Sequence, residues 1–367
     1  MQRGLIAEIN LNNLCNNLKL VKSLAKGSEI IAVVKADAYG HGSVEVSKRL
    51  LREGINTLAV AFTSEAVQLR AAGISCKILS LFDSDHDSII NYNLTPTLNN
   101  LKTAQALSSF ASKKGLIISS HLKVDTGMGR TGFHWYNKDE ILKIFSFSGL
   151  NIEGIMSHFS DADLNDKEFA EEQIKRLKDI QSFLLQKGIR IKLWHISNSA
   201  GLMSLAKANF DAVRPGLMLY GYSPLQNIKS DCQLQPVMSV KTNILQIRKT
   251  KALQPISYGK TFITKRDSTI AVLSAGYADG LNRLFSNNLD VLIEGKRAPV
   301  IGRVCMDLTM VDVTDIKEAK EQSKAILIGS DGDEYIDANE LAKRIGTISY
   351  EILTTFGSKA RRTYTGF

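Results

Sequence analysis

The sequence predicts an α/β chain, an eight-fold (β/α) TIM-like barrel followed by a mostly antiparallel β-domain. Three observations predict it. Eight short β-rich runs recur between about residues 30 and 220, helical patterns separate most of them, and the alternation stops near residue 235. The length of 367 residues suits two domains better than one simple core. The expected division is 10–233 for the barrel and 234–367 for the β-domain, with residues 1–9 as a candidate strand of the latter.

The strand candidates, in order, are "IIAVVK", "TLAVA", "KILSL", "LTPT", "IISSHLKVD", "IEGIMSH", "KLWHIS" and "FDAVR". "LTPT" fits least well, because Pro96 lacks the N–H that a central strand uses. Spacers such as "SVEVSKRLLREG" and "DKEFAEEQIKRLKDIQSFLLQKG" carry apolar residues three and four apart and end on glycine, as helices with a glycine stop do. After about residue 235, "VMSVKTNILQIRK", "STIAVLSAGYADG", "DVLIEGKRAPVIGRVCMDLTMVDV" and "KAILIG" alternate without long helices. A helical pair in "IDANELAKRIGTISYEILTTF" follows, with Asp337 placed to cap its first helix.

Composition narrows the function classes. The net charge is +9, but the basic residues are dispersed and no aromatic-interleaved basic run occurs, which argues against nucleic acid and suits small anions. No run of about 18 apolar residues suggests a membrane span. The N-terminus lacks the h-region of a secretory signal. Cys15, Cys76, Cys232 and Cys305 are scattered, so neither a disulfide framework nor a zinc knuckle is expected, and no metal site is called for. A cytoplasmic location is the simplest reading.

Barrels of this kind place their chemistry at the C-terminal ends of the strands. Lys35, Lys123, Asp125, His158, His195 and Arg214 all fall there. Singly, each reads as a rim or structural residue; together they make a site. A lysine aimed into a partly apolar pocket loses its proton more readily and forms a Schiff base with an aldehyde. Pyridoxal phosphate is the commonest aldehyde cofactor held this way, and it needs a phosphate cradle and a partner for its ring nitrogen.

The ordered set "AVVKADAYGHG", "HLKVDTGMGRTGF", "HISNSAG", "VRPGLMLYG", "SYGKTF", "GYADG", "GRVCMD" and "SYEIL" closely resembles the alanine racemase family across essentially the whole chain. The resemblance implies pyridoxal 5'-phosphate on Lys35, interconversion of L- and D-alanine, and a supply of D-alanine for peptidoglycan. It makes Lys35 the base on one face of the substrate and Tyr277 the base on the other. It assigns Tyr39, Ser199, Gly216, Leu217 and Tyr350 to the phosphate cradle. Asn198 lies beside that cradle, with a plain N-cap role as its rival. Arg214 matches the residue facing the ring nitrogen, and His158 its orienting neighbour. Because an arginine stays protonated, it offers that nitrogen no proton. Arg130 matches an arginine near the cofactor's phenolic oxygen and the substrate carboxylate. Lys123 matches a lysine carbamylated in some members, an unmodified lysine being the other reading. Met306 matches a backbone contact to the substrate carboxylate. The family's active unit is a homodimer in which Tyr277 and Met306 complete the partner's site. Cys305 stands where serine is also common, and Lys260 where arginine is frequent. Three other readings stay open: a racemase of serine or a broader range, a decarboxylase of similar design, and a protein that only binds the cofactor.

Overall fold

The computed structural model describes residues 4–225 and 233–367, so Cys232 lies outside the described residues. Two compact units emerge. One comprises Asn13–Ala38 and Ser43–Gln235; the other comprises Met1–Asn12, Tyr39–Gly42 and Pro236–Phe367.

The first unit is a closed barrel of eight parallel strands. Their ranges are Glu29–Val33, Thr57–Val60, Lys77–Ser80, Thr95–Leu98, Ile118–Asp125, Leu150–Met156, Leu193–His195 and Ala212–Val213. Ala212 pairs with Glu29 and Thr97 with His121, closing the ring. All eight strand candidates read from the sequence lie in it. Pro96 lies within the barrel strand despite lacking an N–H. Thr95 and Pro96 face the preceding strand, whereas Thr97 and Leu98 carry the pairing to the next one. The helical spacers form as their periodicity predicts. Ser43–Arg52 buries Val46 and Leu50, and Glu168–Gln186 buries Ile174, Leu177, Ile180 and Leu184. Asn100 caps the helix Leu101–Lys113 by accepting from Thr103 N.

The second unit is built on a nine-stranded sheet, mostly antiparallel. Its long strand Met238–Thr250 pairs with Ile6–Asn10, Ser268–Leu273 and Lys324–Asp331. Ile6–Asn10 also runs parallel to the last strand, Arg361–Thr365. Asp337 caps the helix Ala338–Ile345 by accepting from Glu340 N at 2.7 Å, and Gly346 ends it in the left-handed region. The helix Ser349–Lys359 follows. Cys15, Cys76 and Cys305 are free thiols. Among the described residues no helix is long and apolar enough to cross a membrane.

Candidate active site

Lys35 lies two residues past the first barrel strand, and the chain then does something the sequence did not announce. Ala36, Asp37, Ala38 and Tyr39 all take left-handed dihedrals, with φ from 50° to 55°. For residues with a Cβ this costs roughly 1–2 kcal/mol each. Side chains hold the turn in place. Glu65 accepts from Ala36 N and Ala61 N, both at 2.6 Å, and Asp37 accepts from Ser43 N at 2.6 Å. A strained segment over-determined by its surroundings is a common mark of a functional site.

Around Lys35 the barrel gathers cations. The Lys35 ammonium, the Lys123 ammonium and the Arg130 guanidinium all stand over the ring of Phe82, at 5.7, 5.6 and 5.5 Å from its centroid. Phe82 lies two residues past the strand Lys77–Ser80, at the same mouth. A ring face attracts cations, which lets three of them share a small space. Lys123 is only 2 % exposed, on the strand Ile118–Asp125, and donates to Thr131 Oγ1 at 2.6 Å. Burial first, then Arg130 and Arg214, pull it down to about 7. Burial first, and Arg130 second, lower Lys35 as well, with Glu65 opposing. Arg130 sits on a loop pinned by Asp125, which accepts from Gly127 N and Gly129 N.

Arg214, 3 % exposed, follows the last barrel strand. It donates to His195 Nδ1 at 2.6 Å, to the carbonyls of Ser157 and Ile196, and to His158 Nδ1 at 3.3 Å. Burial and then Arg130 bring it down to about 9, so it remains charged at neutral pH. Burial, with Arg214 beside it, keeps His158 well below the usual histidine range. Ser199 Oγ accepts from Gly216 N at 3.0 Å and from Met218 N at 3.3 Å, which ties the turn starting at Leu217 to the preceding strand-end loop. Asn198 is the N-cap of the short helix Ser199–Ser204, accepting from Gly201 N.

The structure thus brings Lys35, Lys123, Arg130, His158, Asn198, Ser199, Arg214, Gly216 and Leu217 into the barrel unit. Tyr39, Tyr277, Met306 and Tyr350 belong to the second unit. There Tyr39 is buried, with its ring centroid 6.0 Å from that of Tyr350; burial, with Tyr350 beside it, raises its phenol. Tyr277 and Met306 lie on two loops stitched together. Tyr277 N donates to the Cys305 carbonyl and Ala278 N to that of Met306, both at 3.0 Å. Gly276 permits this, since a Cβ there would stand 2.3 Å from the Cys305 carbonyl oxygen. Both side chains face solvent, 42 % exposed for Tyr277 and 54 % for Met306.

Comparison with known proteins agrees with this geometry. The model of the alanine racemase N-terminal domain matches residues 9–224, and that of the alanine racemase C-terminal domain matches residues 237–364. The chain belongs to the alanine racemase family. It is 48 % identical over 368 residues to the alanine racemase of Thermodesulfovibrio yellowstonii, covering 99 % of this chain and 98 % of that protein. It is 42 % identical to alanine racemase 1 of Clostridium acetobutylicum, covering 99 % and 95 %. Among solved structures, alanine racemase from Clostridium difficile 630 superposes with a TM-score of 0.93 at 36 % identity, covering 100 % of this chain and 96 % of that one. Alanine racemase from Bartonella henselae, solved with covalently bound pyridoxal phosphate, gives 0.89 at 29 % identity, covering 99 % and 100 %. These matches make the chain an isomerase, and they do not favour the decarboxylase or broader-range readings.

The donor set of the barrel fits a phosphorylated aldehyde. After burial, Arg130 lowers Lys35, Lys123 and Arg214, and Arg214 and Lys35 lower Lys123 further, so the mouth is short of negative charge. A dianionic phosphate together with a substrate carboxylate would relieve that shortage. Sequence reasoning passed over Phe82 and gave no role to His195 or His121. The only available signal for Phe82 was its place directly after "KILSL".

Proposed function

We propose that this chain interconverts L- and D-alanine with pyridoxal 5'-phosphate held on Lys35. The observation that carries the reading is the convergence of a lysine of lowered pKa with Arg130, Lys123 and Arg214 at one barrel mouth. When bound, the cofactor supplies the electron sink that acidifies the Cα–H of an attached amino acid.

The chain's own residues then divide the work. Neutral Lys35 holds or takes the proton on one face of Cα. Tyr277 holds or takes it on the opposite face, so that removal by one and return by the other inverts the centre. Tyrosine ordinarily titrates near 10, so this role needs the charged surroundings of a complete site. Arg214, a donor only, meets the ring nitrogen without giving it a proton. His158 steadies Arg214. Ser199 Oγ accepts from two backbone amides and keeps its own proton for a phosphate oxygen, beside Gly216, Leu217 and Asn198, with Tyr39 and Tyr350 completing the cradle. Arg130 and the Met306 backbone take the substrate carboxylate. Lys123, brought down to about 7 and so partly neutral at neutral pH, is suited to carbamylation, which would give Arg130 an anionic neighbour.

Tyr277 and Met306 act on the barrel of a second copy in a homodimer. Their exposure supports this, since an exposed phenol has no site of its own. The domains divide at 10–233 and 234–367, with the first strand joining the second domain, and the product feeds peptidoglycan synthesis in the cytoplasm. The test is α-proton exchange in deuterated water with chiral analysis, using the holoenzyme and L-alanine, L-serine, L-lysine and L-arginine separately. Fast exchange and D-product with alanine alone are expected. Absence of exchange with alanine, the cofactor being bound, would overturn the reading.

A further inference from the structure

Behind Arg214 a line of polar side chains runs down the inside of the barrel. His195 Nδ1 is 2.6 Å from Arg214 Nη1, and His195 Nε2 is 2.9 Å from His121 Nδ1. His121 Nε2 in turn lies 3.5 Å from Glu153 Oε1, which Lys77 Nζ meets at 2.8 Å. Both imidazoles are buried. Lys77 opens its strand, Glu153 and His121 lie along theirs, His195 ends its own, and Arg214 follows the last strand. The line therefore connects the N-terminal end of the barrel to the catalytic mouth.

Its direction is forced. A guanidinium only donates, so His195 Nδ1 must accept. The single proton of a neutral His195 then sits on Nε2 and is donated to His121 Nδ1. His121 must in turn carry its proton on Nε2, which lies 3.5 Å from Glu153 Oε1, an ion-pair distance at which no hydrogen bond has formed. A second proton on either ring would set an N–H against another donor. Burial lowers both histidines; Arg214 lowers both further, with His121 adding to the effect on His195 and Lys77 to that on His121, while Glu153 opposes at His121. At the other end the His121 contact, then Lys77, hold Glu153 down at about 2.

The backbone is cut to fit this line. Gly154 is the register partner of His121 on the neighbouring strand. A Cβ at Gly154 would stand 2.7 to 2.9 Å from three atoms of the His121 ring. Glycine weakens a strand interior, so its presence here is accounted for by the ring lying across it.

We propose that Glu153 is a positioning residue for Arg214, acting through His121 and His195 held as neutral Nε2–H tautomers. This rests on the reading that Arg214 meets the ring nitrogen of the cofactor. Without the carboxylate, the His121 Nε2–H loses its facing acceptor, and only Arg214 at the far end of the line still biases the tautomer. Once His121 turns, His195 can offer Arg214 a proton instead of a lone pair, and the guanidinium loses one of the contacts that aim it.

The test has two readouts, neither of them turnover. Long-range proton–nitrogen NMR on the histidine-labelled protein without cofactor reads the tautomers directly. Both rings are expected as neutral Nε2–H between about pH 6 and 8, the window in which an ordinary histidine would titrate. Glu153→Gln retains an acceptor oxygen and should keep both tautomers. Glu153→Leu should shift His121 to Nδ1–H or to a mixture. The second readout is affinity for pyridoxine 5'-phosphate, which has the ring but no aldehyde. Glu153→Leu should weaken it roughly five- to tenfold, the loss of about one hydrogen bond, and Glu153→Gln should not. A wild-type ring found as Nδ1–H or imidazolium would overturn the proposal. So would a folded Glu153→Leu variant with unchanged tautomers and unchanged affinity. Failure of the racemase reading looks different, as wild-type protein with the expected tautomers but no α-proton exchange on alanine.

Discussion

The two units carry their candidate groups in opposite ways. In the barrel, Lys35, Lys123 and Arg214 are wholly or partly withdrawn from water, and neighbours within the same unit set their charge. In the β-domain, Tyr277 and Met306 stand in solvent on a loop pair whose backbone is firmly held. The difference teaches where each group gets its chemistry. Desolvation and packed cations tune the barrel residues in place. The exposed tyrosine has a position fixed by its loop backbone, and the proposed dimer would supply the surroundings of its phenol.

The largest effect should come from the barrel side. Lys35→Ala removes both the attachment point and one base, and turnover should fall on the order of 10⁴-fold or more, with no cofactor trapped by borohydride. On the β-domain side, Tyr277→Phe should keep the trapped cofactor and lose on the order of 10²- to 10³-fold. Measured by deuterium exchange at Cα, the loss should fall most heavily on the L-enantiomer. Equal exchange of both enantiomers at the wild-type rate would dissolve the distinction drawn between the two regions.

Smaller effects sharpen it. Arg130 is the second cause of the lowered Lys35 pKa, after burial. Arg130→Met should therefore raise the Lys35 pKa, and the neutral amine should appear only at higher pH. Labelling of Lys35 with an amine reagent in the cofactor-free protein, followed across pH, would check the sign; a shift to lower pH would contradict it. Lys123, at about 7, should take up labelled carbon dioxide as a carbamate visible by carbon NMR, and Lys123→Arg should abolish that signal. The smallest effect concerns the exposed loops. Gly276→Ala must push Cys305 and Met306 away from Tyr277, at a cost of about 1–3 kcal/mol and a lower Tm.

Much of this was legible in the sequence, for identifiable reasons. Barrel strands are short apolar runs separated by periodic helices, and polar residues at their ends stand out against that pattern. Lys35, Lys123, His158 and Arg214 were found that way. What stayed hidden depends on geometry rather than residue type. The left-handed turn at Ala36–Tyr39 contains no glycine, the residue that ordinarily signals positive φ. Phe82 collects three cations only because two other strand ends, the one before Lys35 and the one carrying Lys123 and the Arg130 loop, converge on it. His121 and His195 are 74 positions apart, and nothing in either motif says that they touch. The pairing of Gly154 with His121 likewise needs the register.

The central claim is that the barrel of one copy and the tyrosine of another make one site. It is tested most directly by mixing two impaired variants, Lys35→Ala and Tyr277→Phe, under conditions that let subunits exchange. A mixed dimer would combine the intact Lys35 of the second variant with the intact Tyr277 of the first. The account predicts that racemisation returns on mixing, with one working site per mixed dimer and none in either parent. If mixed dimers form and activity stays at the level of the parents, the two residues act within one chain or not together, and the shared site is wrong.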